Sequence, residues 1–311
     1  MEKIRIQKVL AQAGLASRRS VEEMVLQGRI TVNGLLVTSL PCFVEAGDQV
    51  LVDGQPVRKR PQEKTYILLN KPRGAVCTSR DEPGFDRPTA VGLIPDMGQR
   101  IYCVGRLDED STGLILLTND GELTNRLTHP SRGITKTYIV RVEGRPDRSD
   151  LESLRRGMVL DGARTGPTTV DVLDDSSHAE TLLQMRLAEG RNRQIRRMLA
   201  RLEHEVTRLH LSAIGPISDR GLKIGHWRYL SSKEVESLMR IAGLSAEGAP
   251  RDESQPAAPR RKPRVGFVEK SRRSTHPPRR PAGPAGPAGP AGPTGSRRSQ
   301  DKGKLRRRRR P

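Results

Sequence analysis

The chain has 311 residues and a formal net charge of +20, with 34% hydrophobic and 3% aromatic residues. No stretch approaches the roughly 20 apolar residues that a membrane helix needs, and the N-terminus lacks the apolar core of a secretory signal. Three widely spaced cysteines, Cys42, Cys77 and Cys103, supply neither a disulfide framework nor a cysteine zinc cluster. A cytoplasmic protein without membrane association is expected.

The charge is unevenly placed. Residues 246–311 hold 19 Lys/Arg against 5 Asp/Glu, a net of +14, which leaves +6 for residues 1–245. A polyanionic partner follows, with nucleic acid the commonest one. The bland alternative is a basic tail that only promotes solubility or loose adhesion.

In the first segment Ile6, Val9, Leu10 and Ala13 recur at helical spacing, and Gly14 ends that pattern. Ser17 is placed to cap a second helix with Val21, Met24, Val25 and Leu26 on its inner side, stopped by Gly28. Ile30 and Val32 alternate with polar neighbours. Asn33-Gly34 and, after Val50 and Val52, Asp53-Gly54 are tight-turn signals. Residues 1–57 therefore predict a small α+β module. Residues 58–64 carry no apolar group to bury and predict a linker.

A second domain is expected over residues 65–243. It opens on Tyr66-Ile67-Leu68-Leu69, a buried-strand pattern, and its strands are irregularly interspersed with helices. The fold class predicted is α+β with a mixed or antiparallel sheet, and a domain of this size can bury a real core. Residues 244–311, with Pro-Ala-Gly repeats and the Arg306–Arg310 run, predict a disordered basic tail.

Three stretches hold candidate chemistry. Gly105-Arg106-Leu107-Asp108-Glu109-Asp110-Ser111-Thr112-Gly113 places three carboxylates just before the apolar run Leu114-Ile115-Leu116-Leu117. Carboxylates avoid the edge of a buried strand unless paired or left at a rim; an acidic loop that merely turns the chain is the alternative. Asn119-Asp120-Gly121 closes that strand, and residues 122–127 predict a short helix. Further on, Glu189-Gly190-Arg191-Asn192-Arg193-Gln194 precedes a helix with Ile195, Met198, Leu199 and Leu202 on one stripe. At about 100° per residue, Arg193, Arg197 and Arg201 lie opposite the stripe and Arg196 at its edge. An edge arginine either needs an anion or snorkels to water. Thr135–Val142 alternates like a half-buried strand and carries Tyr138, whose type is most often core with a wet hydroxyl.

The six histidines, His129, His178, His204, His210, His226 and His276, show no paired ligand spacing. Asp108 and Asp110 with Asp120 form the one set that Mg²⁺ chemistry would use. No phosphate-binding glycine loop or nucleophile elbow occurs.

Gly105–Leu114 resembles the signature of the bacterial ribosomal RNA pseudouridine synthases of the RsuA/RluB branch. Leu69-Asn70-Lys71-Pro72-Arg73-Gly74, Lys136-Thr137-Tyr138 and Arg191–Met198 agree with it in the branch's order. Residues 3–57 resemble the alpha-L RNA-binding motif through Ser17-Arg18-Arg19, Gly28 and Val32-Asn33-Gly34. Leu209-His210-Leu211-Ser212 departs from the pattern, where a further basic residue is expected. The resemblance implies catalytic roles for Asp108 as nucleophile, Tyr138 against the target base and in proton removal, and Arg196 as the nucleophile's ion-pair partner. It implies that Arg106 holds the flipped nucleotide, with Arg193 and Arg197 also on the substrate. Lys8, Arg18, Arg19 and Arg29 would bind RNA phosphates. It implies a monomer needing no cofactor and no metal, acting on ribosomal RNA. The Arg-Asn-Arg-Gln helix and long basic tail lean towards the large subunit. Two other classes stay open at this point: a Mg²⁺-dependent RNA hydrolase using Asp108 and Asp110, and a non-catalytic RNA-binding or ribosome-assembly factor.

Overall fold

The computed structural model describes residues 3–57, 63–78, 86–129 and 133–244. The expected tail, except Leu244, and the expected linker, except Glu63 and Lys64, lie outside the described residues.

The N-terminal module runs β1 (Ile4–Arg5), α1 (Ile6–Gln12), α2 (Arg18–Leu26), β2 (Ile30–Val32), β3 (Leu35–Leu36), β4 (Phe43–Val44), β5 (Val50–Val52) and β6 (Gln55–Pro56). Ser17 caps α2, its Oγ accepting from the Ser20 N–H at 3.0 Å. Both tight turns form with left-handed residue pairs, Asn33 and Gly34 at φ 51° and 81°, Asp53 and Gly54 at 52° and 74°. That hand matches strand twist and sets the antiparallel order β3-β2-β5-β6. Ile6, Leu10, Val21 and Ile30 are fully buried in the module's own core. Leu26 corrects the expectation: it is 84% exposed. The buried stripe of α2 runs through Val21 and Val25, and Leu26 stands about 100° from Val25 on the wet side.

The second domain runs β7 (Tyr66–Lys71), β8 (Tyr102–Val104), β9 (Thr112–Thr118), α3 (Gly121–Thr128), β10 (Lys136–Glu143), α4 (Arg148–Arg156), β11 (Val159–Leu160), β12 (Ala163–Arg164), β13 (Thr169–Asp174), β14 (Glu180–Leu187), α5 (Gln194–Ala200), β15 (Val206–Ile214), β16 (Ile217–Ser218), β17 (Trp227–Tyr229) and α6 (Ser232–Ile241). Its sheet follows the order β13-β14-β10-β15-β9-β7-β17, with β16 on β15 and β8 on β9. The sheet is mixed and mainly antiparallel, as expected; β9 and β15 run parallel over two residue pairs, Thr112 with His210 and Gly113 with Leu211.

That parallel seam separates two hydrophobic clusters. One gathers β7, β9 and α6; the other gathers β10, β14 and α5. Leu114 and Leu117 of β9 are fully buried, each worth about 2 kcal/mol on transfer from water. Tyr138 packs against both clusters. Gly113 lets the seam close: a Cβ there would stand 2.4 Å from the Leu211 backbone N and O. Gly113→Ala should therefore fail to fold or lose several kcal/mol of stability, read as a lowered urea midpoint or a loss of soluble protein.

Candidate active site

The Asp108 loop sits at the start of β9, on the seam. It is held from several sides. Ser111 N donates to the Asp108 carbonyl at 3.1 Å, closing a turn. Leu107 N donates to Cys77 Sγ at 3.3 Å. Gly74 N donates to the Glu109 carbonyl at 2.8 Å. The Lys71 ammonium, fully buried, donates to the carbonyls of Ala75 at 2.8 Å, Pro72 at 3.1 Å and Glu109 at 3.4 Å. Burial lowers the proton affinity of Lys71, and the nearby Cys77, Asp110, Glu109 and Asp108 act against that.

The three carboxylates take different partners. Glu109 pairs with Arg87 at 3.1 Å. Asp110 pairs with Arg196 at 2.9 Å. Asp108 pairs with Arg193 at 3.4 Å, and the same guanidinium stands 3.7 Å from Asp110. Two expectations are corrected here. Arg196 does not pair with Asp108; it grips Asp110 and donates a second bond to the Val206 carbonyl at 2.8 Å. Arg193 is exposed as expected, but it lies before the helix and not on one of its rows. It precedes α5 in a left-handed conformation, φ 48°, which costs a non-glycine residue about 1 kcal/mol and turns the side chain off the helical path. The rest of the helix is as predicted: Ile195, Met198 and Leu199 are buried.

Asp108 and Tyr138 line one cleft with Arg106, Lys136, Glu189, Gly190, Arg193 and Gln194. Burial first, and the Asp108 charge second, push the Tyr138 phenol up to about 12, so at neutral pH it is a protonated hydroxyl. Unfolded tyrosine titrates near 10. Between those values the unfolded chain has released the proton and the native one has kept it, so stability falls as pH rises through that window. Tyr138→Phe should flatten the alkaline loss: its urea midpoints at about pH 9 and about pH 11 should differ less than those of the unaltered chain.

The other expected site residues are placed as follows. Arg106 is exposed at the cleft. Arg197 does not line the cleft; it is bound to Asp161 of the β11–β12 hairpin. In the N-terminal module Lys8 and Arg18 border a shallow groove with Lys3 and Arg5, and Arg19 is exposed. Arg29 forms a two-point ion pair with Asp53 at 2.7 and 2.5 Å. Asp120 is not with Asp108 and Asp110. It caps α3, accepts from the Tyr66 hydroxyl at 2.9 Å and pairs with Lys64 at 3.0 Å. Among the described residues no group of three or more His, Cys, Asp or Glu is assembled to hold a metal ion.

Sequence reasoning passed over three supports. Gln194 is buried, accepts from Arg191 N at 3.0 Å and donates to Glu189 at 2.6 Å, which fixes the loop before α5. His210 bridges Thr112 Oγ1 and Asp219, 2.8 Å each, across the seam. It takes the place of the basic residue expected in that stretch, and it faces inward. Lys71 was visible as a charge just after the apolar run Tyr66–Leu69, in a strand buried throughout, the signal of a buried cation that must find acceptors.

The family model for RNA pseudouridylate synthases matches residues 65–201, and that for S4 domains matches residues 4–50. The chain is 41% identical over 239 residues to ribosomal large subunit pseudouridine synthase B of Bacillus subtilis, covering 76% of this chain and 96% of that one. With the protein of the same name in Pasteurella multocida it shares 34% identity over 275 residues, covering 86% and 78%. A crystal structure described as a pseudouridylate synthase aligns with a TM-score of 0.54 and 30% identity, covering 76% of this chain and 99% of that one.

Proposed function

The chain belongs to the RNA pseudouridine synthase family, with an S4 domain before the synthase fold, and we propose that its substrate is large-subunit ribosomal RNA, in which it isomerises one uridine. The supporting observation is the single cleft in which Asp108 meets Tyr138 and the guanidinium of Arg193.

Asp108 is the proposed nucleophile. It attacks either C1′ of the ribose or C6 of the uracil. The N1–C1′ bond breaks, the ring turns, C5 bonds to C1′, the bond to Asp108 breaks and returns its carboxylate, the C5 proton leaves and N1 gains one. Every atom is kept and no net oxidation occurs, so the proposal calls for no cofactor. Arg193 partners the charge of Asp108, and the Arg196–Asp110 pair steadies the loop that carries it. To reach the cleft the uridine must leave its stack, at a few kcal/mol. The Tyr138 ring repays part of that by packing on the base, about 1–3 kcal/mol. Arg106 holds the flipped nucleotide at the rim.

Lys8, Arg18 and Arg19 are proposed to contact RNA phosphates, a salt-sensitive mode of holding folded RNA. Arg29 and Arg197 already hold carboxylates and must share or exchange them to do the same. Among the described residues no helix is long and apolar enough to cross a membrane; the proposed setting is a cytoplasmic monomer. Mapping pseudouridines in ribosomal RNA from a strain lacking the gene, with and without the gene restored, tests the assignment. One large-subunit site should vanish and return. An unchanged map, or loss only in the small subunit, would overturn it.

A further inference from the structure

We propose that Lys136 is a catalytic residue of this cleft, whose ammonium binds the uracil oxygen on which negative charge develops during isomerisation. The proposal rests on the uridine-isomerising reading above.

Lys136 opens β10 two residues before Tyr138. Side chains two apart on a strand leave the same face, about 6.8 Å from each other along the chain. Both line the cleft that holds Asp108. The Lys136 stem is half-buried, and its Nζ lies beside Gly190, 3.5 Å from where a Cβ there would stand, an ordinary contact distance. The neighbouring carboxylate, Glu189, is already taken: it accepts from Gly166 N and Gln194 and pairs with Arg191. Among the described residues the Lys136 ammonium has no hydrogen-bond or ion-pair partner. Burial alone acts on its proton affinity, lowering it, and no charged neighbour compensates. A cation held in a partly dry wall without an acceptor is costly unless a ligand supplies the counter-charge.

The ligand charge belongs to the base and not to a phosphate. The phosphates of a flipped nucleotide stay with the RNA backbone at the rim, where the exposed Arg106 and Arg193 stand. The base goes inward to Tyr138, and Lys136 is on that wall. The chemistry supplies the matching charge by either route. Attack at C6 pushes the C5–C6 electron pair through to O4. Displacement at C1′ leaves the N1–C1′ pair on the ring, shared with O2 and O4. Lys136 donates a hydrogen bond to that oxygen and keeps its proton. When C5 has bonded to C1′, Asp108 has left as a carboxylate and the C5 proton has been replaced by one on N1, the ring is neutral again. A donor aimed at charge that exists only past the ground state raises the rate more than the affinity.

The test uses the full chain on a large-subunit ribosomal RNA transcript, with single-turnover rates at saturation, filter-binding affinities and thermal melts. Turnover by the unaltered chain is the control; its absence overturns the functional reading and this proposal together. With an active control, Lys136→Met should keep its melting temperature and bind RNA within about twofold, while its rate falls about 100-fold or more. Lys136→Arg, which keeps the charge, should recover about tenfold of that loss. An unchanged rate with weaker binding and a salt slope shallower by about 0.7 to 0.9 would make Lys136 a phosphate contact and overturn the proposal. Equal rate losses in both variants with a lowered melting temperature would show a structural role and also overturn it.

Discussion

Asp108→Asn is expected to lower single-turnover isomerisation by at least about four orders of magnitude while RNA affinity stays within about twofold. The side chains have nearly the same size, and the turn from Ser111 N to the Asp108 carbonyl uses backbone atoms that the change leaves alone. What disappears is the charge and the oxygen proposed as nucleophile. Arg193 loses its partner, but its side chain is 46% exposed and can turn to water or to Asp110 at 3.7 Å. The melting temperature should therefore stay close to that of the unaltered chain. Turnover above about one hundredth of the original rate would place the nucleophile elsewhere.

The neighbours of Asp108 are poorer candidates for physical reasons. Glu109 is held by Arg87, and its backbone carbonyl is the anchor for Lys71 and Gly74. Asp110 is closed on Arg196 at 2.9 Å. Asp108 has the longer contact, 3.4 Å, and lines the cleft. Three carboxylates that look alike in one loop are sorted by their partners into one facing the cleft and two that hold the loop.

Local signals carried much of this fold. The apolar runs of β7 and β9 are buried throughout or nearly so, the α5 stripe sits as its spacing requires, and Ser17 and the two Asn/Asp-Gly pairs act within four residues of themselves. What could not be read depended on distant partners. Asp120 meets Tyr66 and Lys64 across more than fifty residues, so those two contacts are set by the β7–β9 pairing, whereas its cap on α3 is local. Arg193 follows helical geometry only if the helix has begun. The buried Gln194, tied back to Glu189 and Arg191, delays that start by fixing the preceding loop. It is from this left-handed position that Arg193, and not Arg196, reaches Asp108. The candidate site residues were named through resemblance; their pairing required the sheet.

Arg196→Ala should cost about 2 kcal/mol of stability and about 100-fold in rate, whereas Arg197→Ala should leave the melting temperature unchanged and the rate within about twofold. The two arginines are adjacent in sequence and differ in what surrounds them. The Arg196 side chain is 13% exposed, serves Asp110 and the Val206 carbonyl at once, and links β15 to the Asp108 loop. Removing it takes a donor from the Val206 carbonyl and leaves Asp110 with the more distant Arg193 and a long bond from Ser111 Oγ at 3.4 Å. The loop then loses the tie that fixes Asp108, and a misplacement of about 1 Å is enough for a loss of this size. Arg197 is 34% exposed and pairs with Asp161, itself 76% exposed, so water replaces either partner readily. Arg196→Lys separates charge from geometry. A point ammonium can neutralise Asp110 but cannot reach two acceptors in a fixed plane, so stability should be partly restored and rate less so. Equal losses for Arg196→Ala and Arg197→Ala, confined to RNA affinity, would mean that both arginines act on phosphate and that Asp110 plays no part in aiming Asp108.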